Sequence, residues 1–261
     1  MLELEQETTE IQHIQRIFDG KTAHHYLNKY IDPPEIEKDI IFFLWEAMRT
    51  ASVSAVEKRE QILAALFIHA AFETHEKVET GRHVKHGIKH RQLAVLAGDF
   101  FSSLYYSMLV DNGHVKILPI FSDSIQKINE QKMSLHFCEY KEEEELLESL
   151  RSAEGSLVAN IAAYYGKEGL GTLAKTYFLL KKMYRERERE QDKHLSSFAE
   201  GIYSFVEGRR ADIVSEWPPP QTKSFLDEQI RSQQAELSRQ LKTSVCHKNT
   251  PLFRRLKAIL S

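Results

Sequence analysis

The chain has 261 residues, 42% of them hydrophobic and 28% charged, which is enough apolar content for a sizeable core and too much for a disordered chain. A formal charge of −3 gives no reason to expect a nucleic-acid partner, because such binders carry a clear basic excess. The two cysteines, Cys138 and Cys246, stand far apart in no paired spacing, which argues against a disulfide framework or zinc ribbon and fits a reducing cytoplasm.

The opening "MLELEQETTE" is acidic and polar, whereas a secretory signal needs a basic and then an apolar start. In "IDPPEIEKDIIFFLWEAM", Asp32 is the expected N-cap, with Pro33 at the first helical position and Glu35 three residues after the cap. "QILAALFIHAAF" is apolar nearly all round, as a core helix should be. "LAVLAGDFFSSLYYSMLV" is nearly long enough to cross a membrane, but Asp99 near its middle costs roughly 2.5–3.5 kcal/mol there. A helix buried in a soluble bundle is therefore expected, and no transmembrane segment. Strand evidence is confined to "HVKILPIF", where Pro119 would remove a ladder donor.

Helical spacing continues in "ELLESLRSAEGSLVANIAAYYG" through Leu147, Leu150, Leu157, Ile161 and Tyr165, and Gly166 is the expected C-cap. Leu173, Tyr177, Leu180 and Tyr184 form the next stripe, and Leu195, Phe198, Ile202 and Phe205 the one after. "WPPPQTKS" halts whatever helix precedes it, since three prolines remove donors and force extended backbone. Beyond it, Leu226, Ile230, Leu237 and Leu241 make a narrow stripe suited to a peripheral helix or to another chain. The charge runs "YKEEEELLE" and "YRERERE" are expected to be solvated helix faces. Together these signals predict an all-α bundle of about eight to ten helices. Its main domain is expected over 1–216, with the proline break and C-terminal helices of 217–261 packed on the same domain.

The stretch from His69 to Val110 reads "HAAFETHEKVE", then "GRHVKHGIKHR", then "QLAVLAGDFFSSLYYSMLV". In order and content it resembles the trans-polyprenyl diphosphate synthases, in which an apolar helix carries a His and a DDxxD motif, followed by a basic loop and a helix opening AVLAGDxL. At the last of these Ala97 and Gly98 would let a neighbouring helix come close, and Asp99 would partner a polar group buried at the crossing. In that family the carboxylates of DDxxD share one helical face and hold magnesium ions that bridge an allylic diphosphate. Here the five positions read Glu76, Lys77, Val78, Glu79 and Thr80. An ammonium replaces the second ligand and a hydroxyl the fifth. The chain has no Asp-Asp pair at all, so the family's second acidic motif is missing too. Ala153 and Glu154 stand where a family Lys-Thr pair would open a later helix, and the loop before AVLAGD is shorter than the family's.

Such a departure, with "YLNKYIDPP", "THEKVETGRHVK" and "RLKAI", is similar to the small, non-catalytic subunit (component I) of bacterial two-component heptaprenyl diphosphate synthases. The resemblance implies an isoprenoid-synthase type bundle lacking the aspartate-rich motifs, with no catalytic, substrate-binding or metal-ligating residue and no cofactor of its own. It implies a partner, the catalytic large subunit (component II), in which magnesium is expected. The pair would extend farnesyl diphosphate with isopentenyl diphosphate to the heptaprenyl chain used for menaquinone. In such pairs the small subunit is required for activity and helps set product length.

Other readings of the same residues are weaker. His75, Glu79 and His83 share a helical face on paper, which would suit a stand-alone metal-dependent enzyme acting on a phosphorylated substrate through the His/Glu cluster at 75–90. Gly81 is expected to end the helix between them, and no Glu-x-x-His spacing of a di-iron bundle occurs there. The basic loop with Arg82, Lys85, Lys89 and Arg91 could touch an anion, but a solvated loop or one facing an acidic partner is the simpler expectation. Phe100, Phe101, Tyr105 and Tyr106 are expected to fill core more than to line a tunnel. For a partner surface, the helix after "WPPPQTKS" and the Phe100–Leu109 helix are the two candidates.

Overall fold

The computed structural model describes residues 2–78, 87–138, 140–189, 195–208, 217–243, 247 and 250–260. Among them are ten α-helices and no strand. They are α1 (Leu2–Thr22), α2 (Lys38–Ala47), α3 (Ala55–Glu76), α4 (Ile88–Val110), α5 (Leu118–Phe137), α6 (Glu143–Tyr164), α7 (Glu168–Glu188), α8 (Ser197–Glu207), α9 (Pro220–Thr243) and α10 (Pro251–Ala258). The chain divides into two compact units, Met1–Phe121 and Ser122–Ser261.

In the first unit α3 is the axis. Ser54 caps it by accepting a hydrogen bond from the Glu57 amide, and every residue from Gln61 to Ile68 is buried. Such all-round burial is what its unbroken apolar run requires. The Phe67 ring stacks on Phe18 of α1 at 5.5 Å, and Arg59 grips Glu10 of α1 through two hydrogen bonds of 3.0 and 3.1 Å. α2 begins later than the sequence suggests, at Lys38, where the Glu37 carboxylate accepts from the Asp39 amide. Asp32 is therefore no cap. Pro34 explains this, because the residue before a proline is pushed out of the α region and Pro33 cannot open a helix. The strand-like "HVKILPIF" becomes a turn and the start of α5, with Pro119 in the first turn, where a missing amide costs little.

In the second unit α6 and α7 run in close contact and set the packing. A Glu142/Glu145 capping box opens α6, and after it Gly166 turns the chain with φ +69. Leu173, Tyr177 and Leu180 of the predicted α7 stripe are buried, and the Tyr184 hydroxyl accepts from Gln234 at 2.7 Å. Leu195 lies just ahead of α8, which Ser196 caps through the Ala199 amide. α9 starts at Pro220, directly behind the Pro-rich break, and buries Leu226, Ile230 and Leu237 as it packs on α7 and α8. Trp217, itself buried, donates its indole N–H to the Glu186 carbonyl at 2.8 Å.

Candidate functional site

The residues that would carry a metal lie at the C-terminal end of α3. That helix ends at Glu76, and Lys77 is its cap, with its amide turned back to Thr74. The helix therefore stops five residues before Gly81, earlier than the sequence suggests. Ligands at the first, second and fifth positions of a DDxxD motif need one continuous turn and a half of helix to meet. Here the turn is not continued past the first of them, and the second is an exposed ammonium. A divalent cation wants several hard oxygens around it. These residues do not fit one. Among the described residues no three His, Cys, Asp or Glu side chains gather as a metal site. Glu79, Thr80, Gly81, Arg82, His83 and Lys85 lie outside the described residues.

His75, one residue before the end of α3, faces α4. A methyl group built on Gly98 would stand 2.5 Å from the His75 ring, so the glycine is a notch that the imidazole fills. The small-residue expectation at Gly98 holds in this form. Asp99 does not behave as expected. Its partner is His75, with Nε2 to Oδ1 at 3.6 Å, but neither group is buried at the crossing, and the carboxylate is 64% exposed. Ala97 and Phe101 point into the unit, Tyr105 stacks on Phe121, and Phe100 meets Phe101 and the His24 ring, while Tyr106 faces outward. Of the four rings only Phe101 is core; Phe100 and Tyr105 are half-buried and Tyr106 is exposed, so the expected core role holds for one of them.

Of the four cations expected in the basic loop, Lys89 and Arg91 are described. Lys89 sits at the start of α4, donates to the Tyr30 hydroxyl at 2.9 Å and lies 4.3 Å above the Tyr30 ring. Tyr26 stands 5.4 Å from Tyr30 and shares the cation at 5.6 Å. The two rings are brought together by the short 3-10 turn Leu27–Lys29 between them. This pairing holds the lysine's pKa above its usual value, chiefly through the Tyr30 hydrogen bond, and lowers that of the Tyr30 hydroxyl for the same reason. Sequence reasoning missed this clamp. Its only signal is the spacing of the two tyrosines in "HHYLNKY", which means nothing until a cation is placed above them. The Arg91 Nε is buried and has no hydrogen-bond acceptor among the described atoms.

The buried charged groups of α7 are Lys182 and Glu186. Glu186 accepts from the Ser196 hydroxyl at 2.8 Å and pairs with Arg189 at 3.3 Å and Lys182 at 3.8 Å. A lone carboxylate between two cations is neutralised in place and offers nothing to a divalent ion. This corrects one expectation, because the "YRERERE" run is not wholly solvated. Its Glu186 ties α7 to the cap of α8 from inside. On α6, Ala153 is buried and Gly155 presses against the backbone of Lys175, so that face is given to helix packing.

Comparison with known proteins agrees with this architecture. A family model described as heptaprenyl diphosphate synthase (HEPPP synthase) subunit 1 matches residues 24–241. Heptaprenyl diphosphate synthase component 1 of Geobacillus stearothermophilus is 30% identical over 138 residues. That match takes in 53% of this chain and 61% of the relative, so the chain spans under two thirds of the relative's length. Among solved structures, a decaprenyl diphosphate synthase from Rhodobacter capsulatus superposes with a TM-score of 0.64 at 12% identity, covering 99% of this chain and 95% of that one. The geranylgeranyl pyrophosphate synthetase of the archaeon Geoglobus acetivorans gives 0.64 at 15% identity, covering 97% and 99%. The fold is that of the polyprenyl synthases, all α, along nearly the whole chain.

Proposed function

The chain belongs to the heptaprenyl diphosphate synthase subunit 1 family, and we propose that it is the non-catalytic subunit of a heteromeric long-chain prenyl diphosphate synthase. Its catalytic partner carries the acidic motifs and their magnesium. The pair extends farnesyl diphosphate with isopentenyl diphosphate to the heptaprenyl chain, destined for the menaquinone side chain. This subunit is required for turnover and helps fix product length, and it works in the cytoplasm.

One observation carries the reading: α3 ends at Glu76 and is capped by Lys77. Allylic diphosphate departs only when its developing charge is met by metal ions or an equivalent cationic clamp. A helix end that presents an ammonium amid missing carboxylates cannot hold those ions. A protein that keeps the whole fold without this machinery has its use in what it touches, as a subunit would.

The test is reconstitution. The purified chain, given magnesium and both diphosphates, should release no long prenyl product, and adding the catalytic component should restore synthesis. Long-chain product from the lone chain, or full activity of the catalytic component without it, would refute the reading.

A further inference from the structure

The charges of this chain are unevenly placed. Residues 1–236 hold 29 Lys or Arg against 38 Asp or Glu, a net of −9, whereas residues 237–261 hold six Lys or Arg and no Asp or Glu. Such asymmetry marks a region suited to a negative partner. Two helices of the second unit carry the positive end. α9 has Lys242 in its last turn, and α10 folds back beside it, so that Gln234 Nε2 lies 3.5 Å from the Ile259 carbonyl oxygen.

α10 buries Leu252 and Leu256, one turn apart. A helix that turns these two inward turns Arg254 and Lys257 outward together, and both are exposed. Arg239 is neutralised by Glu236 through contacts of 2.7 and 2.9 Å. Lys242, Arg254 and Lys257 have no carboxylate partner among the described residues. Local needs do not account for them all. The C-terminal end of a helix favours a cation, which covers Lys242 and Lys257. Arg254, however, stands near the N-terminus of α10, where the dipole disfavours a cation and no acidic residue offsets it.

We propose that this cationic face, Arg254 and Lys257 of α10 with Lys242 of α9, docks the protein on an anionic lipid surface. The α10 cations diverge from a convex helix, so they form no concavity for a small anion. A bilayer leaflet needs none, because its charge is spread over a plane. Half-buried Phe253, Ile259 and Leu260 accompany the cations. Apolar side chains beside Lys and Arg suit the boundary between headgroups and acyl chains, and a nucleic-acid backbone has no use for them. Screening then decides which charges count. The Debye length is about 8 Å at physiological salt, so a surface touching α10 feels the local cations and little of the negative remainder. The lone chain should dock, so the inference stands or falls apart from the subunit reading. Under that reading, docking would bring a heptaprenyl product to the phase that dissolves it.

The test is sedimentation of the full chain with vesicles of neutral phosphatidylcholine, or of the same lipid with about one third phosphatidylglycerol. The chain should bind the anionic vesicles alone and leave them as salt rises from about 0.05 M to about 0.5 M. Each Lys or Arg near such a surface strengthens binding about fivefold, so Arg254→Gln with Lys257→Gln should weaken it about thirtyfold. Lys116→Gln with Lys127→Gln removes the same charge at two other exposed lysines and should bind as the wild type does. Should the Arg254 and Lys257 variant melt early, Lys242→Gln is read instead, with a loss of about fivefold. Equal loss in the two double variants overturns the inference, since net charge alone would then explain binding. Equal binding to neutral vesicles, no binding to either kind, or an undiminished variant also overturns it. So does variant-sensitive capture of duplex DNA or RNA as tight as that of the anionic vesicles. None of these outcomes touches the reconstitution of prenyl synthesis, which tests the subunit reading separately.

Discussion

Gly155 of α6 lies so close to Lys175 of α7 that a methyl group on it would stand 2.5 Å from the Lys175 Cα. The same pair of helices meets again at Gly171, whose added carbon would lie 2.9 Å from the Ala159 carbonyl oxygen. Two glycines on opposite helices thus set one spacing. Backbone cannot rotate away as a side-chain tip can, so Gly155→Ala must push the helices apart. The gain of about 1 kcal/mol in helix propensity is outweighed by overpacking of about 1–3 kcal/mol. Denaturant melts should show a net loss for Gly155→Ala, and a gain would contradict the close approach.

His114 follows α4 in the first unit and is largely enclosed there. Its Nε2 is 2.6 Å from the Glu60 carboxylate, and its Nδ1 is 3.9 Å from Glu57. The ring ties the turn after α4 to the first half of α3. His114→Ala should cost about 1.5–3 kcal/mol, the range for a hydrogen bond to a charged group. Equal midpoints for wild type and variant in chemical unfolding would show that the tie is idle.

Glu148 on α6 should impart an acid sensitivity. Burial pushes its carboxyl up, but the Lys175 ammonium, hydrogen bonds from Lys175 and Ser152, and Arg151 outweigh this and hold it below the ordinary 4.5. A depressed folded-state value means the contribution is complete above the unfolded value and disappears as pH falls through the folded one. Glu148→Gln should therefore lower stability at neutral pH, and the gap should close as pH falls below the ordinary carboxylate range. A gap that stays constant from pH 7 to pH 3 would exclude the Lys175 pairing as its source.

The Lys89 clamp can be read by light absorption. Tyr30 should ionise at lower pH than a free tyrosine, because a neighbouring cation favours the phenolate. Lys89→Met should shift one tyrosine's 295 nm titration back toward the usual value near 10. Superimposable titrations would mean that the ammonium does not stand over the ring in solution.

Much of the fold was legible because its signals are local. The unbroken apolar run of α3 and the stripes of α6 and α7 are local patterns, and Gly166 ends α6 where a left-handed turn is needed. Asp32 was misread because two prolines in series look like a helix start but exclude one. Glu186 was misread because a run of alternating charges says nothing about which member turns inward. Only the arrival of Ser196, Lys182 and Arg189 makes burial of that carboxylate affordable. At the candidate site, Lys77 was visible as chemistry, whereas the halt of α3 beside it was not. The Tyr26–Tyr30 clamp and the His75 notch depend on residues far apart in sequence, and no period along the chain announces them.

The early end of α3 has one more effect. Enzymes that seat divalent ions must crowd several negative groups together, and the empty site then repels itself, so that the loaded form alone is at ease. A chain whose helix finishes with one glutamate and a lysine carries no such tension. If the chain serves as the subunit proposed above, its resting shape at this helix end would also be its working shape.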